Sequence, residues 1–324
     1  MHMADVLISV PVGLSMIGVA TVALGYSIKQ VEKEDNESKS VKMGILGAMI
    51  FASQMVNFTI PGTGASGHIV GTILLSALLG PFAAFITIAS ILIVQALVFA
   101  DGGLLSYGCN VINMGFFSAF IAYPLIMKPI LKRNLNKKNI MLASVITSIV
   151  GLQLGAVGVV FETYISGVSA FSLSTFLLLM LPIHLAIGLV EGIITGFVLQ
   201  YLYSAKPNIL AINNKNEVVF SKGNIIVLSS ITFFIATVLS LFASSNPDGL
   251  EWSVSNANVN ISDNISRVSL WFNQMQGKIA FLSGYNLNGS GDLTGTLISG
   301  IVGVIIVSLM IFALSKLGKW KQKS

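Results

Sequence analysis

The chain has 324 residues, of which 54% are hydrophobic and only 10% charged, with a mean hydropathy of +0.85. A water-soluble domain carries about 25% charged residues, so a soluble enzyme or binding module is excluded, and the long apolar stretches point to an all-α integral membrane protein rather than a barrel. The net charge of +5 suggests nucleic acid only until the charges are placed, and the single cysteine, Cys109, rules out an intrachain disulfide or a Cys-based zinc or iron–sulfur site.

In chain order, apolar runs predict nine spans, at roughly 10–28, 43–60, 68–80, 82–100, 107–127, 140–160, 175–203, 224–244 and 294–315. The third is short for a crossing, so it is tilted or broken, and Gly80-Pro81 separates it from the fourth. No basic leader and no A-x-A site mark a cleavable signal.

The loop 29–42, the loop 128–139, the loop 204–223 and the C-terminal tail hold sixteen of the eighteen Lys and Arg residues. With nine spans all four fall on one side, which the positive-inside rule makes cytoplasmic. The N-terminus is then outside and the C-terminus inside, and the basic excess reflects topology, with no nucleic-acid partner. The outer segments are mostly acidic and favour cations. The loop 204–223 reads as a linker between a seven-span domain, 1–203, and a two-span accessory domain, 224–324, whose outer loop is 245–293. The Asn-rich stretch 254–266 reads as weakly ordered.

The opening, MHMADVLISV, places His2 beside a free amine. The Met1 amine, the His2 backbone amide and the His2 imidazole close two fused chelate rings around one metal. Amide ligation requires loss of a proton, which Ni(II) and Cu(II) drive well and Zn(II) poorly. The near-planar nitrogen set suits square-planar ions, and Mg²⁺ or Ca²⁺ would prefer oxygen. A candidate fourth ligand is His68, which follows the Gly-rich NFTIPGTGASG and opens the third span, with Ser66 as a candidate helix cap. The bland alternative is two incidental interfacial histidines.

His184 and Glu191 lie seven residues apart in one apolar span and so share a helix face. They read either as a functional intramembrane pair or as a buried hydrogen-bonded contact between helices; Glu191 is placed too deep for an outer metal site. Asn57, Gln95, Asp101, Asn110 and Asn113 are candidates for orienting the imidazoles and the N-terminal segment, with Asn110 and Asn113 expected on one face. A competing class is an intramembrane serine protease of rhomboid type, with Ser66 of Gly64-Ala65-Ser66-Gly67 as nucleophile and His184 as base; the match is short, and the Trp-Arg loop of that family is missing. The twelve Met residues show no Met-x-x-Met copper pattern.

The stretches MHMADVLIS, NFTIPGTGASGH, VQALVFADGGLLSYGCNVINM and HLAIGLVEGIITG resemble the substrate-capture (S) subunits of nickel/cobalt energy-coupling-factor transporters, the CbiM/NikM type. SSNPDGLEW, Ser244 to Trp252, resembles the PDGLE domain of NikN/CbiN-like accessory subunits. The resemblance implies a seven-helix bundle whose N-terminus folds into the core, where Met1, His2 and His68 bind Ni²⁺ or Co²⁺ as transported substrate, nickel being favoured. No other cofactor is implied. It also implies two ATPase subunits and a transmembrane coupling (T) subunit in a multi-pass plasma-membrane assembly. The chain itself has no GxxxxGK[ST] motif and is expected not to be an enzyme. A capture subunit for an organic vitamin, which would need an aromatic-lined pocket, is the alternative within the same transporter class.

Overall fold

The computed structural model describes residues 1–34, 37–170, 172–205, 210, 222–257, 260–261, 266–287 and 292–320. Most of the 204–223 linker and part of 254–266 lie outside the described residues. The helices are α1 (Val10–Glu32), α2 (Glu37–Gln54), α3 (Thr72–Leu79), α4 (Pro81–Phe99), α5 (Tyr107–Arg133), α6 (Lys137–Ser166), α7 (Leu173–Ala205), α8 (Lys222–Thr237), α9 (Gly249–Asn256), α10 (Arg267–Ile279) and α11 (Asp292–Trp320).

Among the described residues seven helices are long and apolar enough to cross a membrane: α1, α4, α5, α6, α7, Ile225–Phe242 (α8 with the turn after it) and the Leu293–Leu314 part of α11. The two remaining expected spans differ from the sequence reading. α2 carries Glu37, Lys39 and Lys42 in its first two turns and is apolar only beyond them. α3 has eight residues, about 12 Å of helix against a hydrocarbon core of about 30 Å. Its start is delayed because the chain before it is extended, and Gly71, at φ 81°, stands at its N-cap. Ser66 therefore caps nothing; it lies in a strand.

Close packing rests on small residues. α7 presents Gly188, Gly192 and Gly196 at four-residue spacing to α6, where an added methyl on Gly192 would lie 2.5 Å from the Val145 Cα. Such stripes let backbones approach where lipid supplies no hydrophobic force between helices. The last helix seats on α2, with Gly303 against Phe51 and Gly47 against Ile311. Outward faces are apolar, with Val22, Phe197 and Leu309 all exposed, as a lipid solvent requires.

The connecting segments gather at one end of the bundle. Strands β1 (Phe58–Thr59) and β2 (Ser66–Gly67) form an antiparallel hairpin, with Gly62 and Gly64 at positive φ in its turn. Strands β3 (Ser169–Ala170) and β4 (Asn260–Ile261) pair across the two units, so the Asn-rich stretch, expected to be weakly ordered, contributes the last turn of α9 and a strand. The segments assigned to one face by their charges are thus joined by direct hydrogen bonds. At the same end the first nine residues enter the bundle, with Met1, Met3, Leu7 and Ile8 buried.

Candidate metal centre

The N-terminal segment is pinned by its backbone. Met3 N–H donates to Asn110 Oδ1 (2.7 Å), and Asn110 Nδ2 returns a bond to the Met3 carbonyl (3.1 Å). That carbonyl also accepts from Gly103 N–H (2.9 Å) and the Ser106 hydroxyl. Asp5, buried, accepts from Ser106 N–H (2.9 Å) through Oδ1. Gly103 allows this approach: a methyl there would lie 1.8 Å from the Asp5 carboxylate.

These contacts place His2 against His68, their ring centroids 5.1 Å apart and stacked at 26°. Ligand atoms of His2, His68 and Asp248 all lie within 4.8 Å of one another. The Met1 amine is 2.8 Å from Asp248 Oδ2. Met1, His68, His184, Asp248 and Gly249 are among the residues lining a cavity of about 10 Å³, the room one ion or water occupies.

Hydrogen bonds fix which ring nitrogens carry lone pairs. The Val70 carbonyl, which can only accept, takes Gln54 Nε2 (2.8 Å). Gln54 Oε1 then accepts from Gln95 Nε2 (2.9 Å), leaving Gln95 Oε1 to face His2 Nε2 at 3.1 Å. Gln95 Oε1 thus favours the proton on His2 Nε2 in the neutral ring, while Nδ1, the nitrogen that closes a six-membered ring with the backbone amide, faces the Asp101 carboxylate at 3.3 Å. His68 Nδ1–H donates to the Ile69 carbonyl (3.1 Å), so Nε2 is its free donor. Burial first, then the Met1 ammonium and His2, push the His68 imidazole down to about 3, which keeps it neutral. Burial alone would raise the Asp248 carboxyl, but the adjacent ammonium outweighs it and holds the group below the ordinary carboxylate range.

The candidates divide. Gln95 touches His2, and Asp101 Oδ1 lies 3.3 Å from His2 Nδ1 while its Oδ2 accepts from the Tyr285 hydroxyl (2.6 Å). The last turn of α4, Gln95–Phe99, is wound wider than α, and Ala100 follows at φ 52°; such turns are frequent at functional sites. Asn110 holds Met3. Asn113 does not join it: its amide donates to Glu162 Oε2 (2.6 Å). The expectation of a shared face assumed α winding, whereas α5 is wound i→i+5 over Val111–Met127. Asn57 meets the accessory unit through its main chain, its carbonyl accepting Ser244 N–H (2.8 Å).

The protease pairing is not assembled. The Ser66 hydroxyl donates to the Asn246 carbonyl (2.8 Å), and His184 Nδ1–H donates to the Met180 carbonyl (2.8 Å). His184 and Glu191 do share a buried face, but with different tasks. Glu191 accepts Val70 N–H (2.8 Å) and Gly71 N–H (3.0 Å), anchoring the backbone just after His68. His184 lines the cavity, and its Nε2 has no hydrogen-bond partner among the described residues.

Sequence reasoning missed Tyr285 and the reach of Asp248. Asp248 is the N-cap of α9: Oδ1 accepts Leu250 N–H (2.9 Å) and Glu251 N–H (2.8 Å), and Glu251 returns a bond to the Asp248 amide, closing a capping box. The D-x-x-E spacing signals that cap. The other oxygen is left for Met1, a partner 247 residues away. The accessory unit is registered on the hairpin by Ser66 N–H donating to the Pro247 carbonyl (2.8 Å) and by Thr59 Oγ1 bonding Ser244 Oγ (2.9 Å). Gly249 permits the approach, since a methyl there would meet Ile183 at 2.6 Å.

A multi-pass helical membrane protein with a nitrogen-rich, single-ion cavity at one end defines a class: membrane proteins that handle a transition metal. The chain belongs to the CbiM family, described as the cobalt uptake substrate-specific transmembrane region, whose model matches residues 2–209; a PDGLE domain matches residues 222–319. It is 33% identical over 318 residues to an Archaeoglobus fulgidus protein named "Putative fused nickel transport protein NikMN", covering 98% of both chains. It is 26% identical over 225 residues to the cobalt transport protein CbiM of Sorangium cellulosum, covering 65% of this chain and 94% of that one. A crystal structure described as a truncated transition metal transporter superposes with a TM-score of 0.56 at 32% identity, covering 63% of this chain and 99% of the other.

Proposed function

We propose that the chain is the substrate-binding subunit of an ATP-driven energy-coupling-factor importer and captures Ni²⁺ or Co²⁺ with its own N-terminus. The four donors are the Met1 amine, the deprotonated His2 amide, His2 Nδ1 and His68 Nε2. Residues 1–203 form the capture domain, 204–223 the cytoplasmic linker and 224–324 the accessory domain, with the N-terminus outside. Energy comes from two ATPase subunits and a T subunit on other chains, which reopen the site for release. The observation that carries this reading is the stacking of His2 on His68 beside the Met1 amine, with the relay from Val70 through Gln54 and Gln95 engaging His2 Nε2 so that Nδ1 is the ring nitrogen left for a metal once Asp101 gives way. Nickel is favoured because amide ligation stabilises square-planar ions and because a relative aligned along nearly the whole chain is named for nickel.

Metal affinity measured on protein with its native N-terminus and a C-terminal tag, beside a copy with one Ala inserted after Met1, tests this. One tightly bound ion lost on insertion is the expected result; equal binding by both removes the N-terminus from the site.

A further inference from the structure

Asp248 carries a charged side chain of the accessory unit into the metal cavity. Its two oxygens divide their work: Oδ1 is committed to the cap of α9, and Oδ2 faces the Met1 amine at 2.8 Å. One oxygen of the carboxylate also lies within 4.8 Å of a ligand nitrogen of His2 and one of His68. Two donors held about 2.0–2.1 Å from one ion lie no more than about 4.2 Å apart when opposite each other, so small shifts bring all three onto one metal. Two imidazoles and a carboxylate form a donor set different in kind from the planar four-nitrogen set. It needs no deprotonated amide and no free amine, and it accepts ions that deprotonate amides poorly, such as Zn²⁺.

We propose that Asp248 is itself a metal ligand, joining His2 and His68 in a landing site that takes the arriving divalent ion before the N-terminus closes on it. This rests on the chelation reading above. On arrival the ion exchanges three waters for His2, His68 and Asp248 Oδ2, and the hydrogen bond from the Met1 ammonium to Oδ2 breaks. The amine and the His2 amide then release their protons to water and displace the carboxylate and the remaining waters, which gives the planar four-nitrogen complex. An ion that cannot complete the second stage stays on the landing set, so Asp248 sorts metals as well as admitting them.

The substitution Asp248→Asn separates ligation from architecture, because Asn caps helices as well as Asp while the anionic ligand is lost. Glu251→Gln is the control: it removes a neighbouring negative charge, and Gln serves at the third position of a capping box. Ni²⁺ association would be followed by stopped flow, and Ni²⁺ and Zn²⁺ affinities by calorimetry, on the full chain in 0.1 and 0.5 M salt, a range that screens exposed charges. Asp248→Asn is expected to slow Ni²⁺ association and weaken Zn²⁺ by about tenfold or more, with Ni²⁺ affinity changed less than about threefold and Glu251→Gln behaving as the parent. Equal slowing in both variants that vanishes at high salt would reduce Asp248 to long-range attraction and overturn the proposal. So would unchanged Ni²⁺ rates and Zn²⁺ affinity in Asp248→Asn while His68→Ala abolishes binding, although the four-nitrogen site would then stand. Parent-like binding by His68→Ala would overturn both.

Discussion

Replacing Asn110 by Ala tests whether metal affinity depends on how the N-terminal segment is docked. Asn110 touches no proposed ligand; it exchanges two hydrogen bonds with the backbone of Met3, one residue beyond the chelate. Truncation removes both, at about 0.5–1.5 kcal/mol each, and leaves the Met3 N–H buried without its acceptor, which costs about 1–3 kcal/mol. The Met3 carbonyl keeps Gly103 N–H and the Ser106 hydroxyl, so it is not left unpaired. A total of roughly 2–6 kcal/mol spent on undocking raises the Ni²⁺ Kd about 30-fold to about 20,000-fold at about 1.4 kcal/mol per tenfold. Asn110→Asp should be no better, because it sets an oxygen against the Met3 carbonyl. Calorimetric titration in detergent, with a thermal melt to confirm the fold, gives the answer. A Kd within about threefold of the parent would refute the claim that docking and chelation are coupled.

Three further outcomes are expected. Capture releases protons from the Met1 ammonium and the His2 amide but none from His68, which is already neutral, so between pH 5 and 7 log Kd should rise by at least two per unit fall in pH; calorimetry in buffers of different ionisation enthalpy counts the protons, and a count of one or fewer contradicts amide ligation. The His68 imidazole is held down to about 3 in the fold against 6.5 ordinarily, so the unfolded chain takes up its proton first. The metal-free protein should then lose stability as pH falls from 6.5 toward 3, with no contribution from this group above 6.5, and a His68→Asn variant should show a flatter melting profile. Glu191→Ala leaves two buried donors, Val70 N–H and Gly71 N–H, without an acceptor and should destabilise by about 2–5 kcal/mol, whereas Glu191→Gln, with one oxygen retained, should fall between Ala and parent; equal melting temperatures for all three would count against the anchoring role.

The sequence made the apolar helices legible because lipid solvation leaves few residues to choose from, and it made the His2–His68 pairing legible because both lie at the charge-assigned outer end. Other features depended on backbone geometry that composition does not encode. Asn110 and Asn113 were expected on one face, and the wide winding of α5 turns them to different partners. α3 was expected to begin at His68, but Glu191 holds the following amides in an extended path. Glu191, counted along its helix, was placed too deep for an outer site, yet the chain after His68 dips to meet it. The cap formed by Asp248 could be read from local spacing; its bond to the first residue of the chain could not.

The short strand pairing between the hairpin and residues 244–248 makes only a few main-chain bonds. Taken by itself, without the seating of α11 on α2, so small a contact would form seldom between separate molecules at low abundance. Covalent continuity changes the arithmetic: a tethered partner is present at an effective concentration that reaches the millimolar range for short flexible links. A contact weak enough to open readily can therefore still be closed most of the time. Fusion, together with the seating of α11 on α2, thus permits a latch that is both reversible and always at hand.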